Sequence, residues 1–243
     1  INSTYYTFLS KKSVLSWLKN TDPDFKFTVK IHRELTQNAS RDYPLGKIDG
    51  DIAGGFLDSV SPLIEEGRLI TLLAQFGPGF TKRREHGKYL IRLRELMGKI
   101  PMVIEFRHPS WLLAGKRDDT FQFLARHNLG YVSSDLPDNP RLPPLVPHVI
   151  GNIGYLRLHG HNKNWFGQST AKRYDYNYSD DELKSLIPII GQMDERARLT
   201  IVAFNNCHGG QALQNALRLK ELLKEASDSF SIGNPARPEN TYS

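Results

Sequence analysis

Short β-rich runs alternate with helix-period segments along this chain, and a polar residue closes almost every β run. That alternation limits the fold more than any other feature. The runs are 25–30 (FKFTVK), 69–76 (LITLLAQF), 102–107 (MVIEFR), 130–135 (GYVSSD), 154–159 (GYLRLH) and 199–205 (LTIVAFN). Apolar and β-branched residues dominate them with little alternation, as in strands covered on both faces of a parallel sheet. The opening INSTYY reads as the stump of an earlier strand. Helical patterns lie at 13–20, 51–66, 84–97, 118–128, 179–196 and 211–225. Ser179 with Glu182 has capping-box spacing, and Gly98 is a natural helix stop. Pro188 predicts a kink. Leu213, Leu217 and Leu222 mark the apolar side of the last helix.

Two segments break the pattern. Residues 136–152 hold five prolines and read as a long loop. Residues 227–243 (SDSFSIGNPARPENTYS) read as a polar, disordered tail. The expected organisation is one domain over 1–226 followed by that tail. Alternating strands and helices fit a doubly wound sheet or a TIM-type β/α barrel. No G-x-G-x-x-G follows a strand, so a dinucleotide fold lacks its main signal. The chain begins at Ile1 in mid-pattern, so a first strand reads as missing, which brings the count to the eight of an α/β barrel.

Composition narrows the function classes. The single cysteine, Cys207, excludes an intrachain disulfide and favours a cytoplasmic setting. No apolar run approaches the roughly 18 residues of a membrane span. The net charge of +6 favours an anionic small molecule or nucleic acid as partner. Nothing in the sequence fixes the oligomeric state.

The chemistry is expected where the strands end. Lys30, Gln75, Glu105, Arg107, His108, Asp135, Arg157, His159, Asn205 and Asn206 close successive runs, and Asn2 does so on the stump. In parallel β/α folds these ends share one face, and in a barrel they share the mouth that holds the active site. Residues two apart in a strand point the same way, so Glu105 and Arg107 form one inward pair, and Arg157 and His159 another.

Several of these motifs also carry a family resemblance. IEFRHPSW (104–111) resembles the signature of the YecE-like family, a domain of unknown function. FKFTVKIHRELT (25–36), LLAQFGPGF (72–80), YLRLHG (155–160) and FNNCHGGQALQNA (204–216) resemble its other strand ends, and Asp135 matches an aspartate that closes a strand. The chain departs from the family at Gly77 and Pro78, where a proline pair is more usual. The family's first strand and the acidic residue before INSTYY are also absent. The resemblance implies a TIM-type barrel and no settled reaction.

Two function classes follow. The first is an enzyme, of hydrolase or isomerase type, acting on a phosphorylated or nucleic-acid ligand. Lys30, Arg107 and Arg157 would supply positive charge, and arginine's fork suits phosphate oxygens. Asn2, Gln75, Asn205 and Asn206 would contact the ligand. Glu105 or Asp135 would be the general base, and His159 or His108 the proton donor. No cofactor is expected. Glu105, Asp135, His32, His108, His159 and His161 are divalent-metal ligand types, but no H-x-x-x-H or H-E-x-x-H pair supports that weaker reading. Cys207 beside His208 is a poor candidate nucleophile, because sequence neighbours seldom form a nucleophile–base pair. The second class is a non-catalytic nucleic-acid or anion-binding module. It rests on the aromatic and basic loop 162–178 and on the basic residues Arg83, Arg84, Lys88, Arg92 and Arg94.

Overall fold

All six β-rich runs form strands in the computed structural model, which describes residues 1–37, 48–163, 165–166, 170–206 and 208–231. The strands are β1 (Phe27–Lys30), β2 (Leu69–Gln75), β3 (Met102–Glu105), β4 (Gly130–Asp135), β5 (Ile153–Leu158) and β6 (Leu199–Phe204). They make one six-stranded sheet whose spatial order follows the sequence, and every pairing is parallel.

Each crossover carries a helix, apart from the one between β4 and β5, where the proline-rich loop takes its place. The helices are α1 (Lys11–Lys19), α2 (Gly50–Glu65), α3 (Arg84–Leu96), α4 (Arg117–Arg126), a short α5 (Thr170–Arg173), α6 (Asp180–Asp194) and α7 (Gln211–Ser231). Local chemistry sets their ends. Ser10 and Asp49 accept backbone N–H bonds as caps of α1 and α2. Ser179 and Glu182 form the expected reciprocal capping box on α6. Gly98 takes φ +62° just beyond α3, which a residue with a Cβ seldom adopts. Arg68, 6% exposed, ties the start of β2 to the α1–β1 connection by donating to the Leu18, Asp22 and Phe25 carbonyls and the Thr21 hydroxyl.

The sheet is strongly curled. Strands lie about 4.8 Å apart, so in a flat sheet β1 and β5 would be about 19 Å apart. Instead, Thr28 Oγ1 on β1 lies 3.4 Å from Tyr155 Oη on β5. Ile1 bonds to the β1 edge, and the next residue, Asn2, donates to Asn205 Oδ1 just past β6 at 3.3 Å. Leu73, Val103, Val132 and Tyr155 pack inside the curl. Two residues further along their strands come Gln75, Glu105, Ser134 and Arg157, so the same inward face turns polar at the C-terminal ends. Outside, Phe56, Val60, Leu63, Leu90 and Leu93 of α2 and α3 pack on β1 to β4. Leu183, Leu186, Leu219 and Leu222 of α6 and α7 pack on β5.

Three local expectations change. INSTYY is not a strand: Ser3–Tyr5 is a 3₁₀ turn, and Ile1 alone mimics a ladder residue by accepting from Lys30 N at 2.9 Å. On α7, Leu219 and Leu222 are buried, whereas Leu213 and Leu217 are 66% and 55% exposed. The sequence period could not tell which side of that helix meets α6. Pro188 sits within α6, and the helix continues past it to Asp194. Helix α7 reaches Ser231, and the tail expectation for 232–243 and the Cys207 side chain lie outside the described residues. Among the described residues, no helix is long and apolar enough to cross a membrane.

Candidate functional site

At the C-terminal ends of the strands, one carboxylate gathers the polar side chains. Glu105, the last residue of β3, is fully buried. Arg157 Nη1 on β5 donates to its Oε2 at 2.5 Å. Arg107, two residues past Glu105, brings its Nε to 2.7 Å from Oε1, and His159 Nε2 lies 3.0 Å from the same oxygen. The Arg107 contact is close, but its N–H is not aligned as a hydrogen bond, so attraction there is chiefly Coulombic. Arg107 Nη2 also lies 3.0 Å from His159 Nε2. This grouping follows from the parallel register, which sets Gln75 beside Glu105, and from the curl, which brings β5 across to β3.

A partly exposed rim surrounds that buried centre. Gln75 Oε1 accepts from Lys30 Nζ at 3.0 Å and from Arg157 Nη1 at 2.8 Å. Arg157 Nη2 donates to Asn205 Oδ1 at 2.8 Å and reaches Asn2 Oδ1 at 3.4 Å. Lys30 Nζ sits 3.9 Å above the Tyr5 ring, a cation–π contact. Asn2 is exposed, and Lys30, Gln75 and Asn205 are partly so. Seven sequence-expected residues thus meet around Glu105: Asn2, Lys30, Gln75, Arg107, Arg157, His159 and Asn205.

The electrostatics fix the protonation states. Burial alone would raise the Glu105 pKa, but the Arg107 and Arg157 guanidiniums beside it outweigh burial and hold it well below the usual carboxylate range. Burial, then Arg107, push His159 down to about 3, so its ring is neutral at ordinary pH. Burial, then the Arg157 charge, lower Lys30 to about 7, with Glu105 opposing them. A carboxylate held this way is a weak base, and a neutral imidazole cannot donate as an imidazolium. Lys30 is a side-chain amine that changes charge near neutrality.

Three expected residues stand elsewhere. Asp135 accepts from Tyr178 Oη at 2.6 Å and contacts His161 Nε2 at 2.9 Å. His161 Nδ1 lies 3.3 Å from Glu182, and Tyr176 donates to that same carboxylate. This second cluster links β4 to α6. The hydrogen bond to Asp135, together with Glu182, raises the His161 pKa above its usual value against the effect of burial. His108 caps the 3₁₀ turn Pro109–Trp111, where its Nδ1 accepts from Ser110 N at 3.1 Å. Asn206 is buried and donates to the Tyr176 carbonyl and Asn215 Oδ1, both at 2.7 Å, which locks α7 to the preceding loop.

The aromatic loop lies over the mouth. Trp165, 4% exposed, packs with Leu136 and Leu142 and stands edge-on to His159 and Tyr174. The guanidiniums of Arg107 and Arg173 each lie 5.7 Å from its ring. Trp165, Tyr176, Tyr178 and Glu182 were not among the expected site residues. The one local signal for the second cluster is the histidine at 161, one alternation past His159. Among the described residues, no group of three or more His, Cys, Asp or Glu side chains is placed to hold a metal ion.

Comparisons with known proteins give this geometry a family. The UPF0759 protein YunF of Bacillus subtilis is 27% identical over 92% of this chain and 82% of its own length. A crystal structure of a DUF72 family protein from Thermotoga maritima is 39% identical, with a TM-score of 0.83 over 92% of this chain and 83% of that one. A DUF72 family protein from Enterococcus faecalis is 28% identical, with a TM-score of 0.81 over 91% of this chain and 87% of that one. A family model described as Protein of unknown function DUF72 matches residues 1–241, so the chain belongs to the DUF72 family.

Proposed function

We propose that the protein is an enzyme of the TIM-barrel type that acts on a phosphorylated or similarly anionic ligand at the C-terminal ends of its strands. The observation that carries this reading is the charge count at the mouth. Lys30, Arg107 and Arg157 surround a single carboxylate, Glu105, and the like-charge crowding helps to lower the Lys30 pKa. An anion at the rim would relieve that crowding, with Arg157, Asn205 and Asn2 as its nearest donors. The narrower YecE-like assignment rests on the same strand-end motifs.

The proposed roles differ from those expected from sequence. Glu105 orients the two arginines and stays ionised. His159 acts as a neutral hydrogen-bonding group. Lys30 is the proton-transfer group, because a catalytic group works best with its pKa near the operating pH. Asp135 and His161 form a neighbouring pair that acts through the loop covering the mouth.

The test is calorimetric titration of inorganic phosphate and a panel of sugar phosphates at pH 7, in two buffers of different protonation enthalpy. Anion binding is expected to take up protons, because it raises the Lys30 pKa, and Lys30→Met should remove that uptake. Absence of binding, or binding without proton uptake, would overturn the reading. Turnover of the panel, followed by NMR, separates the enzyme from the non-catalytic binding module: tight binding with no conversion favours the module.

A further inference from the structure

A second basic feature lies away from the strand ends, in the groove between α3 and α4. It is a cleft of about 470 Å³, within the size range of small-molecule sites. Its floor is apolar. Trp111 is held rigidly there, stacked on Phe106 at 4.3 Å with its indole N–H donating to the Phe80 carbonyl. Phe123 and Ile91 complete the floor. The ring of Phe123 leans towards the α3 backbone at Gly87, where a Cβ would sit 3.6 Å from Phe123 Cζ.

The rim is strongly cationic. Lys82, Arg83, Arg84, Lys88 and Arg126 line the cleft with Asp119 as its one carboxylate. Lys82 uses its amine on the Lys116 carbonyl at 2.6 Å and lies 3.9 Å from Asp119. Arg83 leans on His86 Nε2. Among the described residues, Arg84 and Lys88 make no ion pair, and both are exposed. An exposed rim of like charge is ordinary on a helix surface. Here it surrounds a concave aromatic floor, and the two together select a ligand that is planar at one end and anionic at the other.

We propose that this cleft binds a free nucleoside phosphate, with the base on Phe123 and the edge of Trp111 and the phosphate held by Arg83, Arg84 and Lys88. Stacking on aromatic rings and charge-assisted contacts from arginine are the forces by which such ligands are held. The cleft is open to solvent, and its limited volume matches a mononucleotide better than an extended strand. This inference is independent of the proposed chemistry at the strand ends.

The experiment is calorimetric titration of adenosine monophosphate, with adenosine, inorganic phosphate and a short oligoadenylate as comparison ligands. The nucleotide should bind, and adenosine and phosphate should each bind at least about tenfold more weakly, since each offers half of the recognition. The double variant Arg84→Glu/Lys88→Glu alters exposed side chains only and should weaken the nucleotide at least about tenfold. Gly87→Leu keeps every charge and fills the floor beside Phe123, and it too should abolish binding. Loss of nucleotide binding in both variants, with unchanged melting temperatures, supports the site. Nucleotide binding that survives both variants, inorganic phosphate binding as tightly as the nucleotide, or oligoadenylate affinity that rises with strand length would each overturn it.

Discussion

Replacing Glu105 by glutamine tests whether the mouth is organised around one buried charge. The substitution keeps shape and removes the charge. Glu105, Arg157 and Arg107 are 0%, 3% and 5% exposed, so the two guanidiniums have little access to water. Among the described residues, Glu105 is the only carboxylate in ion-pair contact with either arginine. Removing one partner of a buried pair costs about 3–5 kcal/mol, because the charge left behind is desolvated and uncompensated. For a domain of this size, each kcal/mol shifts the melting temperature by roughly 2–4 °C, so Glu105→Gln should lower it by about 6–20 °C. Circular dichroism melts and urea titrations would measure the change. Adding Arg157→Met should restore part of the loss, giving a coupling energy in a double-mutant cycle. The sign with pH also follows. The folded-state pKa of Glu105 is depressed, so its stabilisation is present above the unfolded carboxylate pKa of 4.5 and is lost as pH falls through the lower folded value. The gap between wild type and Glu105→Gln should therefore narrow in acid. A loss below about 1 kcal/mol at neutral pH, with an unchanged urea slope, would refute the argument, since solvated arginines would not need the carboxylate.

Three further outcomes follow from other parts of the structure. The folded-state pKa of Lys30 is about 7 against 10.5 unfolded, so the unfolded chain binds more protons in that window; wild-type stability should rise from pH 7 to 10.5 relative to Lys30→Met, and parallel stability curves would exclude a buried, titrating amine. Gly160 has φ +83°, and a Cβ there would lie 2.4 Å from Tyr176 Cβ, so Gly160→Ala should cost at least about 3 kcal/mol in thermal unfolding; a near-neutral variant would show that this loop repacks freely. The raised folded-state pKa of His161 means that its pairing stabilises below its unfolded value of 6.5 and is lost as pH rises through the folded one; an NMR titration should place its midpoint above 6.5 and Glu182→Gln should lower it, whereas a midpoint below 6.5 would disprove the bridging role.

Much of the fold could be read locally. Strand and helix positions followed from residue type and period, and the Ser179–Glu182 box and the Gly98 stop followed from spacing alone. What failed locally depended on neighbours. Leu213, Leu217 and Leu222 satisfy a helical stripe equally well on paper, but contact with α6 and β5 buries Leu219 and Leu222 and leaves the first two in water. INSTYY has the composition of a strand, yet past Ile1 its chain coils into a 3₁₀ turn and leaves the ladder.

The candidate site divides in the same way. Alternation along each strand determined that Glu105 and Arg107, and Arg157 and His159, would share faces, because pleat geometry is a property of the chain itself. The excess of basic over acidic residues was likewise visible as a number. Only the curl of the sheet decided that β5 would cross to β3 and place Arg157 on Glu105. Only packing decided that His159 would be neutral, Lys30 would titrate near 7, and Asn206 and His108 would serve as structural locks. Protonation depends on burial and on charges distant in sequence, and those distances exist only once the strands have been brought together.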